Sequence, residues 1–401
     1  MLEDNEDGAW SKLPQPLQQQ FFKLAEKEAE RFKERIKRIQ QKLRSLGEVI
    51  RGRPIPDSDE WKKWRVAVVD GSNSPTTSER LGIRVGTYCA SYLIFEGMQQ
   101  VDEGYVSRCY VTEQREGYGE SLTLLELLRL NLERELAHYC LKEKNIDWII
   151  LDGSFFGFRA SAHRVKEEIV GVDEYRFGRE LISNIRDKTL TLMDSRKVIG
   201  LIKRSRSAAI DGWLLYKHGD PSKCVGANDK YILAALLPPG HYFAYEWIFE
   251  CPEAYHYYAQ MRALYDYATL SKRKIRSMDQ LYDSAKRKVT HSIYKSLGYA
   301  VERITNLARY FVRCCEPPPF EFEVKVGTDI EPLLSYFKAF HNPATGLPWP
   351  IDLVDHNTTI PKGFNKEFVE EIEALLIKNA LSQKEMLINY FTYLNPQKEE
   401  D

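Results

Sequence analysis

The sequence predicts an α/β fold built on one mixed sheet, with helical insertions and helices at both ends, and three observations carry that prediction. Two apolar runs rich in Val, Ile and Leu end in the same Asp-Gly-Ser phrase, VAVVDGS reaching Asp70 and WIILDGS reaching Asp152. Between them, GIRVGTYCASYLIF (82–95) and DEGYVSRCYVTE (102–113) have the composition of adjacent antiparallel strands. SLTLLELLRLNLERELAHYCLKE (121–143) then has the period of an amphipathic helix. The resulting order is strand, strand, strand, helix, strand, with an acidic side chain at the end of the first and last strands.

Each element follows from local pattern. Residues 16–47 form a charge-rich helical arm with Phe22, Leu24, Ala25, Phe32, Ile36 and Ile39 at mostly helical spacing, suited to packing on its own domain or on a partner chain. A proline-containing break, RGRPIPDSDE, leads into the first Asp-Gly-Ser strand. We therefore divide the chain into an N-terminal arm (1–50) and a core domain (51–401) carrying a helical insertion at about 253–311. After the second Asp-Gly-Ser strand, 161–194 reads as largely helical, and VIGLIKRS (198–205) and HYFAYEWIF (241–249) read as strands. FEFEVKV (320–326) alternates as a strand should, 329–340 is a short helix, PWPIDLVDHNTTI (348–360) is read as extended, and 364–394 closes the chain with helix.

Composition excludes several classes. Lys and Arg number 57 against 58 Asp and Glu, so attraction to a polyanion must come from local patches. The seven cysteines contain no C-x-x-C and no zinc-like spacing, and their odd number argues against a disulfide framework. No apolar stretch approaches membrane-spanning length, and the opening MLEDNEDGAW is acidic and polar rather than basic then apolar. A cytoplasmic protein without membrane contact is expected.

The chemistry lies in the carboxylates. Two strands ending in Asp and lying side by side bring two like charges together, and a hard divalent cation with oxygen ligands relieves their repulsion. On the helical wheel of 121–143, Leu124, Leu125, Leu128, Leu132, Leu136 and Tyr139 form one stripe, and Glu135 falls inside it. Glu126 and Glu133 fall on the far side, so Glu135 is the expected third ligand, with Glu126 or Glu133 as alternatives. Near the C-terminus, Asp352, Asp355 and His356 cluster, and His356 is expected to ligate a metal or orient a phosphate oxygen. Lys203, with Arg204 beside it, closes a strand from which it can reach a phosphate. An Asp on the first strand, a Glu on the helix after three strands and an Asp on the next strand make up the chain order of a ribonuclease-H-like core, in which two divalent ions clamp a scissile phosphate.

The segment 271–309 adds SKRKIR, AKRKVTH, Lys295, Arg303 and Arg309, preceded by the tyrosine-rich EAYHYYAQMRALYDY. Basic groups with aromatic faces suit a single-strand channel, and an amphipathic helix with its tyrosines turned inward is the equal alternative.

These motifs also carry a resemblance. VAVVDGSNSP with Gly82 and Arg84 after it, WIILDGSFFG, VIGLIKRSRS and WPIDLVDHNTTI resemble, in order and over about 70–360, the motifs of the NurA nucleases. The resemblance implies a ribonuclease-H-like fold, a Mn²⁺ (or Mg²⁺) cofactor and 5′→3′ exonuclease action on single-stranded DNA and DNA ends. It further implies single-strand endonuclease activity, a homodimer, and work in end resection beside a HerA-type hexameric ATPase. By the same resemblance Asp70, Glu135 and Asp152 are metal ligands and His356 is a late active-site residue. The chain departs from the family where a tyrosine often precedes that histidine, since it has Leu347, Pro348 and Trp349 there. The alternative reading is a catalytically silent member of the fold that binds DNA or regulates the ATPase.

Overall fold

The computed structural model describes residues 9–393 except 114–117, 173, 276, 299–300 and 380–383. A long helix α1 (Gln15–Leu46) and a short strand β1 (Arg53–Pro54) precede the first core strand, β2 (Arg65–Asn73). Then come β3 (Ser78–Glu79), β4 (Arg84–Glu96), β5 (Gln99–Thr112), α2 (Tyr118–Glu143) and β6 (Trp148–Asp152). A helix α3 (Arg159–Val165), a hairpin of β7 (Ile169–Val172) and β8 (Tyr175–Phe177), α4 (Gly178–Asp194) and β9 (Val198–Ile202) follow. The next stretch holds α5 (Ala209–His218), α6 (Asp229–Leu236), β10 (His241–Ala244), α7 (Ala254–Leu270), α8 (Met278–Leu297) and α9 (Val301–Thr305). The chain closes with β11 (Leu307–Arg313), β12 (Phe320–Lys325), α10 (Glu331–Ala339), α11 (Trp349–Thr358), α12 (Phe364–Asn379) and α13 (Lys384–Tyr390).

Strands β5, β4 and β2 pair antiparallel, while β2, β6 and β9 pair parallel, with α2 making the crossover into β6. That is the order of a ribonuclease-H-like sheet, here extended beyond β9 by β12, β11, β10 and β1, all antiparallel. Because parallel strands are covered on both faces, they read as unbroken apolar runs. Val66 and Val68 of β2 point into a core shared with α10 and α11, and Ala67 and Val69 point into a core shared with α2 and α4. A third core, formed by α5 to α8, lies against β10 and β11 and takes in Ile39, Leu43 and Leu46 from the end of α1. The rest of α1 leaves Phe22, Leu24, Phe32 and Ile36 exposed.

Three sequence expectations change here. PWPIDLVDHNTT is not extended: it is α11, which tolerates its prolines because Pro348 sits just before the helix and Pro350 in its first turn, where no intrahelical N–H is needed. The stretch 161–194 is interrupted by the β7–β8 hairpin, and the helical block ends before 307, where LARYFVR becomes β11. In the tyrosine-rich block Tyr255 and Tyr258 are buried, whereas Tyr267 and Tyr294 are exposed. Tyr258 packs on Tyr216 and Tyr282 in the third core. Arg309, counted with the basic stretch, is buried between Glu321 and Glu323, and Arg276 lies outside the described residues.

Candidate metal centre

The site is set by register. Val69 of β2 lies beside Leu151 of β6, so the next residues along the two parallel strands, Asp70 and Asp152, stand side by side where the pairing of β2 with β6 ends. Helix α11 brings the third acid. Its buried face carries Ile351, Val354 and Thr358, and Thr358 is fixed to the sheet through its hydroxyl contact with Ser91 and the Cys89 thiol donating to its carbonyl at 3.2 Å. Asp355, next to that face, reaches over the strand ends. One carboxylate oxygen from each of Asp70, Asp152 and Asp355 lies within 4.8 Å of the others.

Lys203, just past the end of β9, bridges two of them, at 2.9 Å from Asp152 and 3.3 Å from Asp355. Burial opposes its charge, yet Asp152, Asp355 and Asp70 outweigh burial and raise its pKa. Asp70 is only 5% exposed, and burial, Asp152 and Glu133 together push its pKa up to about 8 despite Lys203 and the Gly71 N–H, which donates to it at 2.7 Å. Burial likewise raises Asp152, against the pull of Lys203 and with a push from Asp355. The donor set is therefore all oxygen, crowded and short of positive charge. Those are the properties that fit a hard divalent cation.

Glutamate placement corrects the helical-wheel expectation. Glu135 is turned away from the cluster: Arg108 donates to its carboxylate at 3.2 Å, and Lys188 and Asn131 each donate at 2.8 Å. Glu133 is the acid behind Asp70. It is 1% exposed, accepts from Arg129, and has Arg134 at 3.6 Å. Burial pushes its pKa up while Arg129 and Arg134 draw it down. Arg129 also donates to the Gly71 carbonyl at 3.1 Å, which ties this pair to the first Asp-Gly-Ser phrase. The wheel misled because α2 is buried nearly all round, by the sheet on one side and by α3 and α4 on the other, so its leucines do not mark the sheet-facing side. Glu126 is exposed.

His356 is likewise not in the cluster. It is exposed, one helical step around α11 from Asp355. The signal was available: read as a helix, Ile351, Val354, Asp355 and Thr358 follow the i, i+3, i+4, i+7 spacing of a packed face, and His356 does not. Asp70, Asp152 and Lys203 are brought together, Asp355 and Glu133 join them, and Glu135 and His356 stand apart.

Among the described residues no helix is long and apolar enough to cross a membrane. Comparison with curated protein sequences gives no significant match. Among solved structures, the NurA nuclease from Sulfolobus solfataricus shares the fold, with a TM-score of 0.59 at 11% identity, covering 92% of this chain and 99% of that one. A structure described as NurA bound to dAMP and manganese aligns with a TM-score of 0.46 at 13% identity, over 92% of this chain and 97% of that one. With the NurA domain matching residues 36–360, this chain belongs to the NurA domain family.

Proposed function

We propose that this protein is a metal-dependent deoxyribonuclease whose ion-binding carboxylates are Asp70, Asp152 and Asp355, with Glu133 supporting Asp70 from behind. The observation that carries the reading is the convergence of those three acids, from two neighbouring strands and a distant helix, within 4.8 Å. Nuclease activity is what the name of the Sulfolobus relative states of that protein, and this site supplies the groups such activity needs.

Asp70, Asp152 and Asp355 would hold Mn²⁺ or Mg²⁺, which would supply an activated water and neutralise charge on the phosphate. The chain's own groups do the rest. Asp70 and Asp152 are fixed by the strand register, so they need little reorganisation to receive a cation. Burial and the charges of Asp152 and Glu133 favour a proton on Asp70, and a cation held by Asp70, Asp152 and Asp355 would offset the same repulsion. Lys203, held between Asp152 and Asp355, would offer its ammonium to a phosphate oxygen of the bound strand. Glu133, clamped by Arg129 and Arg134, sets its carboxylate behind Asp70 and raises the Asp70 pKa, while Arg129 ties the pair to the Gly71 carbonyl. The finer reading follows the family resemblance: 5′→3′ exonuclease action on single-stranded DNA and DNA ends, a homodimer, and a HerA-type ATPase partner in end resection.

The test is digestion of single-stranded DNA labelled at either end, in Mn²⁺, Mg²⁺ or EDTA. Products are expected only with a divalent ion, and the label released first gives the polarity. Asp70→Asn should slow cleavage at least about 10³-fold, the cost of several kcal/mol of lost charge stabilisation. A wild-type protein that yields no products with either ion, even beside the ATPase, overturns the reading in favour of a silent subunit.

A further inference from the structure

A second cavity, of ≈ 430 Å³, opens beside the carboxylate site, and its chemistry is the opposite. The turn after β6 and the segment after β9 build both. Asp152 ends β6 and Ser154 lines the cavity, while Lys203 turns to Asp152 and the next residue, Arg204, turns to the cavity. Arg159 at the start of α3 and Arg206 complete a set of guanidiniums around it. Among the described residues none of these three side chains has an ion-pair or hydrogen-bond partner. Arg309 and its partner Glu321 also line the cavity, and with Glu323 on its other side Arg309 adds no positive charge, so the positive charge comes from the other three. Burial and the repulsion of Arg309 lower the pKa of Arg159, as expected of a guanidinium with no anion beside it. His256 lines the same wall, and burial with Arg309 and Arg159 drives its pKa well down, so it presents a neutral ring.

We propose that this cavity binds the terminal phosphomonoester of a DNA strand, holding the end while the neighbouring carboxylate site acts on the backbone. The inference rests on the nuclease reading of that site. Three arginines without partners match a dianionic terminal phosphate better than a singly charged internal one, because guanidinium forks pair with phosphate oxygens bidentately. The volume lies within the range of small-ligand sites, about 300–1,000 Å³, so the cavity has room for a terminal nucleotide with its phosphate. Phe156 and Tyr255 give it aromatic walls.

The experiment is equilibrium binding, in EDTA so that nothing is cut, of one fluorescent deoxyoligonucleotide carrying a 5′-phosphate, a 3′-phosphate or hydroxyls at both ends. The wild-type protein is expected to bind one phosphorylated form at least about tenfold more tightly than the hydroxyl form, and which one names the end. In the double variant Arg159→Gln/Arg204→Gln the ratio should fall to near one, and Arg159→Lys/Arg204→Lys should restore part of it. The hydroxyl form measures folding and general DNA affinity in each variant. Equal binding of all three forms by the wild-type protein overturns the proposal, as does a preference that survives the double Gln variant. Both readouts are independent of cleavage, so failure of the nuclease reading and failure of this one are separable.

Discussion

The two Asp-Gly-Ser phrases are identical in sequence and different in structure, and the difference shows how the site is assembled. The first lies inside a strand: β2 continues through Asp70, Gly71 and Ser72 to Asn73, each paired with β4. The second ends its strand, and Gly153 turns with φ 105°, a conformation that a side chain resists. Gly71 is glycine for another reason. A Cβ there would sit 2.8 Å from the Glu133 Cγ and Oε1 and 3.0 Å from the Cys89 carbonyl oxygen, so the missing side chain is the space through which Glu133 approaches. The serines diverge in the same way. Ser72 accepts from the Ile360 N–H at 3.0 Å and so anchors the chain leaving α11, while Ser154 donates to Glu323 at 2.8 Å. One phrase joins the α2 glutamate and the α11 aspartate to the sheet. The other opens toward the arginine-lined cavity.

The largest expected break in this comparison comes from the glutamates. If Glu133 belongs to the Asp70 side of the site and Glu135 to the α2–α4 surface, Glu133→Gln should cut cleavage by about 10–100-fold, as loss of a group that orients the ion's ligands does. Glu135→Gln removes only partly exposed ion pairs with Arg108 and Lys188, and should cost about 1 kcal/mol or less in stability with near-normal cleavage. Steady-state rates for the two variants in Mn²⁺ check this. Equal losses would mean that the placement of Glu133 has no functional meaning.

A second, smaller contrast lies in the glycines. Gly71→Ala must displace Glu133 or the β4 backbone, an overpacking cost of about 1–3 kcal/mol, and activity should fall with stability. Gly153→Ala meets nothing within 4 Å, so its cost is the backbone conformation alone, about 1–2 kcal/mol, with the smaller loss of activity. Denaturant midpoints and cleavage rates on the same preparations decide the matter. A Gly153→Ala variant more damaged in activity than Gly71→Ala would reverse the roles assigned to the two glycines.

These contrasts also mark how far the sequence could be read. Strand runs such as VAVVD and WIILD announce themselves because both faces of the central sheet are covered, and Asp70 and Asp152 follow directly. Their convergence depends only on β2 and β6 being neighbours. Glu133 was harder to select, since a helix covered on several sides carries no single apolar stripe from which to tell inside from outside. Asp355 was hidden by proline: Pro348 and Pro350 suggest an extended chain until one recognises that both sit where a helix starts. The cavity was less legible still. Arg159 and Arg204 come from separate motifs, and only the pairing of β6 with β9 shows that the segments following them share a wall.

The mildest test uses pH on the ion-free protein and separates the two aspartates. In the folded chain Asp70 holds its proton to about pH 8, whereas in the unfolded chain it releases it near the ordinary value of 3.8. Between those limits the folded state binds more protons than the unfolded state, so stability falls as pH rises and the loss is complete above about 8. Asp70→Asn cannot ionise, so it should remove most of that slope and melt a few degrees higher than wild type near pH 8. Asp152 is also raised, but Lys203 sits 2.9 Å away and opposes the shift, so Asp152→Asn should flatten the slope less. Melting temperatures in EDTA from pH 5 to about 9 measure both slopes. Added Mn²⁺ should stabilise wild type more at the alkaline end, where the cation need not displace a proton. Identical slopes for wild type and Asp70→Asn would show that the buried first aspartate does not carry the electrostatic strain the geometry assigns to it.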